Sequence, residues 1–201
     1  KCDDRGCKDL LNEGEKKLIN NGFLLFPAKL QQCDVQNGNG RVYGRRVLER
    51  EIENYAKMVA EGRAIGECDH PDDSVINLKN ASHKVVRIWW EGDDLKGTVQ
   101  VLDTPSGNIL KSLFKAGIVL GISSRGLGSV KESMSKGTVE VQEDFELICW
   151  DFVSNPSTHG AFMKPKSMNE SVNKTTTNKY NKVNEIITSI LCEDGKCRIL
   201  K

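Results

Sequence analysis

Across residues 45–61 the apolar positions Val47, Leu48, Ile52, Tyr55, Ala56 and Val59 recur three and four apart, and Gly62 follows them. That spacing predicts an amphipathic helix ended by glycine. A second helix is predicted from Pro105 to Ala116, with Thr104 as cap, Pro105 in the first turn and Gly117 as the stop. The other apolar runs are short and strand-like: residues 23–26, 84–90, 95–102, 118–123 and 145–153. Glu91-Gly92-Asp93-Asp94 joins two of them as a hairpin, and Asn37-Gly38-Asn39-Gly40 reads as a turn. Strands outnumber helices and are joined mostly by short turns, which predicts an α+β fold with an antiparallel, barrel-like core and surrounding helices. The regular strand–helix alternation of a parallel doubly wound sheet is missing.

Polar patterning divides the chain of 201 residues. Residues 1–17 hold five basic and five acidic side chains with little that is apolar beyond Leu10 and Leu11, and are expected to form a flexible N-terminal segment. Residues 18–163, with 16 basic and 19 acidic side chains, are the expected folded domain. Residues 164–201 are expected to be a linker and a C-terminal tail, because 167–182 are polar and low in complexity. Over the whole chain 29 Lys and Arg meet 28 Asp and Glu. This near balance argues against nucleic-acid binding, which usually shows a basic excess. No apolar run is long enough to span a bilayer, and the charged start does not read as a secretory leader. The seven cysteines are odd in number and scattered, which suits reduced thiols inside a cell.

The densest chemistry lies in Leu120-Gly121-Ile122-Ser123-Ser124-Arg125-Gly126-Leu127-Gly128. Strand alternation puts Gly121 and Ser123 on one face, where the glycine leaves room for an approaching group. Arg125 and the N–H groups near Gly126 are candidates for the oxyanion side. The plainer alternative is a strand end whose hydroxyls satisfy a turn. No Gly-Lys-Ser or Gly-Lys-Thr follows, so this is not a phosphate-binding loop. A serine nucleophile needs a base, and the chain has only His70, His83 and His159. His70 stands before Pro71 at an expected strand exit. His83 starts a hairpin strand, and His159 lies in a turn-rich loop. Asp151 sits among apolar neighbours in Leu147-Ile148-Cys149-Trp150-Asp151-Phe152-Val153. A buried carboxylate needs a partner, and the candidates are a histidine or an arginine such as Arg87 or Arg125. Cys68 and His70 lack a second paired ligand set, and Cys192 and Cys197 are too far apart for a knuckle, so no metal site and no cofactor are expected.

Several segments, in order, resemble the prohead maturation proteases of tailed phages, the T-even-type group. They are Asn39-Gly40-Arg41-Val42-Tyr43, Gly66-Glu67-Cys68-Asp69-His70-Pro71, Ser82-His83-Lys84-Val85, Leu102-Asp103-Thr104-Pro105-Ser106-Gly107, Gly121-Ile122-Ser123-Ser124-Arg125-Gly126 and Asp151-Phe152-Val153-Ser154-Asn155-Pro156-Ser157. Gly44, where that group commonly has proline, and Cys68 depart from the pattern. The resemblance implies an assemblin-like fold, often dimeric, which makes a homodimer a candidate assembly. It implies a serine endopeptidase working in the host cytoplasm inside the assembling prohead. Its substrates would be scaffold and major capsid proteins, and finally itself. Carried over by motif, Ser123 is the nucleophile with Ser124 as the alternative, His70 is the base, and Asp151 orients it, with His159 or Glu146 as alternative third members. A preference for Glu before the cut, with an aliphatic residue two positions earlier, makes Glu13 and Glu193 the expected autocleavage sites. The rival readings are a catalytically idle head protein and a cysteine peptidase using Cys68 or Cys149.

Overall fold

The computed structural model describes residues 11–163, apart from 72 and 134–136. The predicted linker, the C-terminal tail and Glu193 lie outside the described residues. The first described element is α1 (Glu13–Asn20). Asn12 caps it: Asn12 Oδ1 accepts from Glu15 N at 2.8 Å, and Glu15 Oε2 accepts from Asn12 N at 2.7 Å. Glu15 is buried, and its two oxygens accept from Arg87 Nε and Nη2 at 2.8 and 3.0 Å. Residues 13–17, placed in the flexible segment by their composition, are therefore helical. The cause is a partner 72 residues away, which local polarity does not reveal.

Four strands form the larger sheet, in the order β1-β5-β4-β3: β1 (Leu24–Gln32), β3 (Ile65–Glu67), β4 (Ala81–Glu91) and β5 (Asp94–Val101). The β4–β5 hairpin closes over Gly92 and Asp93, with Gly92 at φ +60°, as the sequence predicted. β1 runs past Pro27, where the predicted strand stopped. It is an edge strand paired only to β5, and there a missing N–H is tolerated. α2 (Arg45–Ala60) and α3 (Pro105–Lys115) fall where the spacing placed them. Thr104 Oγ1 accepts from Gly107 N at 3.1 Å at the start of α3, and Gly117 turns the chain at φ +78° beyond its end.

A second sheet has the order β10-β6-β9, from β6 (Leu120–Leu127), β9 (Glu146–Val153) and β10 (Phe162–Met163). A third, β2-β8-β7, contains β2 (Arg41–Val42), β7 (Val130–Ser133) and β8 (Thr138–Val141), with β2 and β8 parallel. Among the described residues none of the three sheets closes into a barrel, so the mixture of helices and sheets is as expected and a barrel-like core is not seen. Closure needs continuous pairing, and here the three-residue β3 reaches β9 through one parallel bridge, Cys68 to Phe152. The strands share one core with α2 and α3 instead. Phe26 meets Phe114 at 4.5 Å and Phe114 meets Phe152 at 5.8 Å between ring centres. Burying an aromatic ring of this kind contributes about 1.5–3 kcal/mol.

Candidate active site

β6 and β9 pair antiparallel with Ser123 opposite Asp151 and Arg125 opposite Cys149. Directly paired residues project from the same face, so these four side chains share one. The strand β3 reaches this face through an unusually close contact. A Cβ on Gly66 would lie 2.0 Å from Trp150 O and 2.4 Å from His83 Nε2. Only glycine fits, and so Glu67 N comes to donate to Asp151 Oδ1 at 2.9 Å. Asp69 N then donates to Phe152 O at 2.8 Å. Asp69 itself is left-handed at φ +73°, a conformation its short polar side chain tolerates. That turn brings His70 Nδ1 to 2.8 Å from Asp151 Oδ2.

Asp151 is fully buried, while the His70 side chain remains 36% exposed. Burial pushes the Asp151 carboxyl up. The bonds from His70, Glu67 N–H, Arg125 and the Cys149 thiol outweigh it and hold the group below the ordinary carboxylate range. An ionised Asp151 only accepts, so His70 carries its proton on Nδ1 and keeps the Nε2 lone pair free. Arg125 Nε lies 2.9 Å from Asp151 Oδ2, and Nη2 donates to Asp151 Oδ1 at 3.3 Å and to Glu67 Oε1 at 3.1 Å. Ser123 is nearly buried, with its Oγ 3.4 Å from Ser157 Oγ. Among the described residues no hydrogen bond joins Ser123 to His70.

The sequence profile of a family described as the prohead core protein serine protease matches residues 8–173. The prohead core protein protease of Enterobacteria phage T4 is 35% identical over 152 residues, covering 74% of this chain and 71% of that protein. The chain belongs to the prohead core protein serine protease family. A solved structure of the bacteriophage T4 capsid assembly protease gp21 superposes with a TM-score of 0.63 at 30% identity, covering 67% of this chain and 84% of that one.

Against this family background the other residues singled out in the sequence fall as follows. His83 is fully buried: its Nε2 donates to Trp150 O at 2.9 Å and its Nδ1 accepts from Ser82 Oγ at 2.8 Å. Burial drives it down to about 4, so it is a neutral strut between β4 and β9. His159 is exposed, and Glu146 lies five residues along β9 from Asp151, about 17 Å at strand rise. Ser124 points to the opposite side of β6, 3.4 Å from Gln31 Oε1. Cys149 is buried and burial raises its thiol; burial also raises Cys68. Neither has the lowered pKa of a nucleophilic cysteine.

Two expectations about glycines change. The space beside Ser123 is not open, because a Cβ on Gly121 would meet the Pro156 ring at 2.3 Å. Gly126 lies within β6, which runs past the predicted end at 123, and its missing side chain admits the Phe145 ring and Glu146 O, each 2.6 Å from where a Cβ would stand. Arg125 turns Nη1 onto Asp73 O and Nη2 onto the buried Glu67, Cys149 and Asp151 side chains. Glu67 was missed as a site residue. It stands in a polar run with Asp69 and His70, so its local sequence gives no sign of its burial.

Proposed function

We propose that this chain is a serine endopeptidase of the assembling phage head, with His70, Ser123 and Asp151 as its catalytic groups. The observation that carries the reading is the His70 Nδ1–Asp151 Oδ2 contact of 2.8 Å on the strand pair that sets Ser123 opposite Asp151. Ser123 Oγ attacks the scissile carbonyl as its proton passes to His70 Nε2. The imidazolium, steadied by Asp151, gives that proton to the leaving amine. A water then attacks the acyl-enzyme by the same route, its proton passing through His70 back to Ser123 Oγ. An open depression of about 420 Å³ is lined by Pro71, Asp73 and Ser74 of the histidine loop and by Arg125, Gly126, Leu127 and Ile148 of the β6–β9 pair. It offers an extended substrate a place against the loop that carries His70.

The relatives' names point to capsid assembly, so scaffold and capsid proteins inside the prohead are the proposed substrates, cut after Glu. Glu13 and Glu193 are proposed autocleavage sites, and a homodimer is the proposed assembly. The deciding experiment is labelling with a fluorophosphonate and, separately, with iodoacetamide, read by peptide mass spectrometry. Fluorophosphonate on Ser123, lost together with proteolysis in Ser123→Ala but kept in Ser124→Ala, is the expected result. Proteolysis that survives in Ser123→Ala defeats the proposal, as does inactivation by iodoacetamide at Cys68 or Cys149.

A further inference from the structure

Between β3 and β4 the chain runs from residue 68 to 80 and carries His70. Cys68 and Asp69 are tied to Phe152, and the rest of the loop is held from beneath by two buried side chains. Arg125 Nη1 donates to Asp73 O at 2.8 Å. Nη2 of the same guanidinium reaches Glu67 Oε1 at 3.1 Å, Cys149 Sγ at 3.2 Å and Asp151 Oδ1 at 3.3 Å. Glu67 Oε1 also accepts from Asn77 N at 2.6 Å, near the far end of the loop. One cation thus touches the Asp151 carboxylate, the loop three residues after His70, and the acid that ties that loop down again. We propose that Arg125 and Glu67 are positioning residues, which hold the His70 loop and the Asp151 carboxylate in register and do not act on the substrate's oxyanion. The inference rests on the serine-triad reading above.

Glu67 adds an electrostatic part. The buried cluster sums one cation, Arg125, against two carboxylates, Asp151 and Glu67, with the Cys149 thiol neutral. It therefore carries one net negative charge, which an imidazolium on His70 neutralises. Among the described residues the cluster is also flanked by Cys68, Asp69 and Asp73 of the loop, the last two exposed, by His83, neutral on β4, and by Tyr55, a buried neutral phenol on α2. Glu67 Oε2 has no partner although it is buried. A glutamine would keep both bonds made by Oε1 and remove only the charge, putting an NH2 where the unpaired Oε2 lies, so the exchange isolates the electrostatic part of the role. Retaining a carboxylate there is intelligible if its charge favours the imidazolium formed during acyl transfer.

The test compares Glu67→Gln, Arg125→Lys, Asp151→Asn and the Arg125→Lys/Asp151→Asn double variant. The readouts are fluorophosphonate labelling rates at Ser123, kcat and KM on a Glu-containing peptide, and pH–rate profiles, with thermal melts as the fold control. Arg125→Lys should slow labelling and lower kcat about tenfold or more at unchanged KM, yet cost less than about threefold once Asp151 is already Asn. Glu67→Gln should stay folded, lose turnover, and move the acid limb of its pH–rate profile to lower pH. Equal losses from Arg125→Lys in both backgrounds would overturn the inference, as would a raised KM with kcat intact. A Glu67→Gln profile superimposable on wild type would overturn it too, and this isosteric variant serves if Arg125→Lys fails to fold. Wild-type protein that does not label at Ser123 would refute the triad reading itself; Ser123 labelled equally fast in Arg125→Lys sinks this inference alone.

Discussion

Replacing Asp151 by Asn should all but stop catalysis while the chain still folds, and the hydrogen bonds say why. Oδ1 accepts from Glu67 N, Arg125 Nη2 and the Cys149 thiol, while Oδ2 meets His70 Nδ1 and Arg125 Nε. An asparagine keeps its one oxygen where the donors are most numerous and presents its NH2 to His70. His70 must then accept on Nδ1 and carry its proton on Nε2, so it has no lone pair left for Ser123. The expected loss in kcat is on the order of 10⁴, the size found when a triad imidazole is held in the wrong tautomer. Arg125 keeps Glu67 and Asp73 O as partners, so the stability cost should fall at the low end for breaking a buried pair, about 3 kcal/mol. For a domain of this size that is roughly 6–12 °C in Tm. The sign of the pH effect follows from Asp151 lying below the ordinary carboxylate range. Its contribution is present above the unfolded value of about 3.9 and fades as pH falls through the folded value. Melting curves of both proteins between pH 6 and pH 3 should therefore converge on acidification. Two results would refute the reasoning: folded Asp151→Asn with more than a tenth of wild-type turnover, or a Tm gap as wide at pH 3 as at pH 6.

Gly66→Ala should lower Tm by several degrees and cut activity together, since overpacking of about 1–3 kcal/mol pushes β3 off β9 and takes His70 with it; unchanged melting and turnover would mean that β3 does not sit where described. Glu15→Ala should cost about 1–2 kcal/mol by removing the bidentate partner of Arg87, and a chemical-denaturation midpoint equal to wild type would show that α1 contributes nothing. Intact-mass analysis of incubated protein should reveal fragments that start at Gly14 or end at Glu193, absent from Ser123→Ala. The Glu13–Gly14 bond lies in the first turn of α1, so Asn12→Ala, by weakening the cap by about 1 kcal/mol, should speed the N-terminal cut roughly fivefold; no acceleration would argue that the helix need not open.

Periodicity and turn chemistry placed α2, α3 and the β4–β5 hairpin, because each is defined by residues close together in the chain. The need of Asp151 for a buried partner was also legible, since a charge among apolar neighbours demands one wherever it is. Burial and pairing are properties of distant segments, and there the local signal ran out. Nothing near Glu15 announces Arg87, so α1 looked flexible. Gly121 looked like open space because its occupant, Pro156, arrives from 35 residues away. Arg125 looked available to an oxyanion until the fold placed Asp151, Glu67 and Asp73 around it, and Glu67 passed unnoticed until β3 was laid against β9. The chain alone determined which chemical groups were present and which local elements would carry them. Tertiary structure decided which partner each buried charge found, because that choice depends on packing distances of a few ångströms between strands that the sequence holds dozens of residues apart.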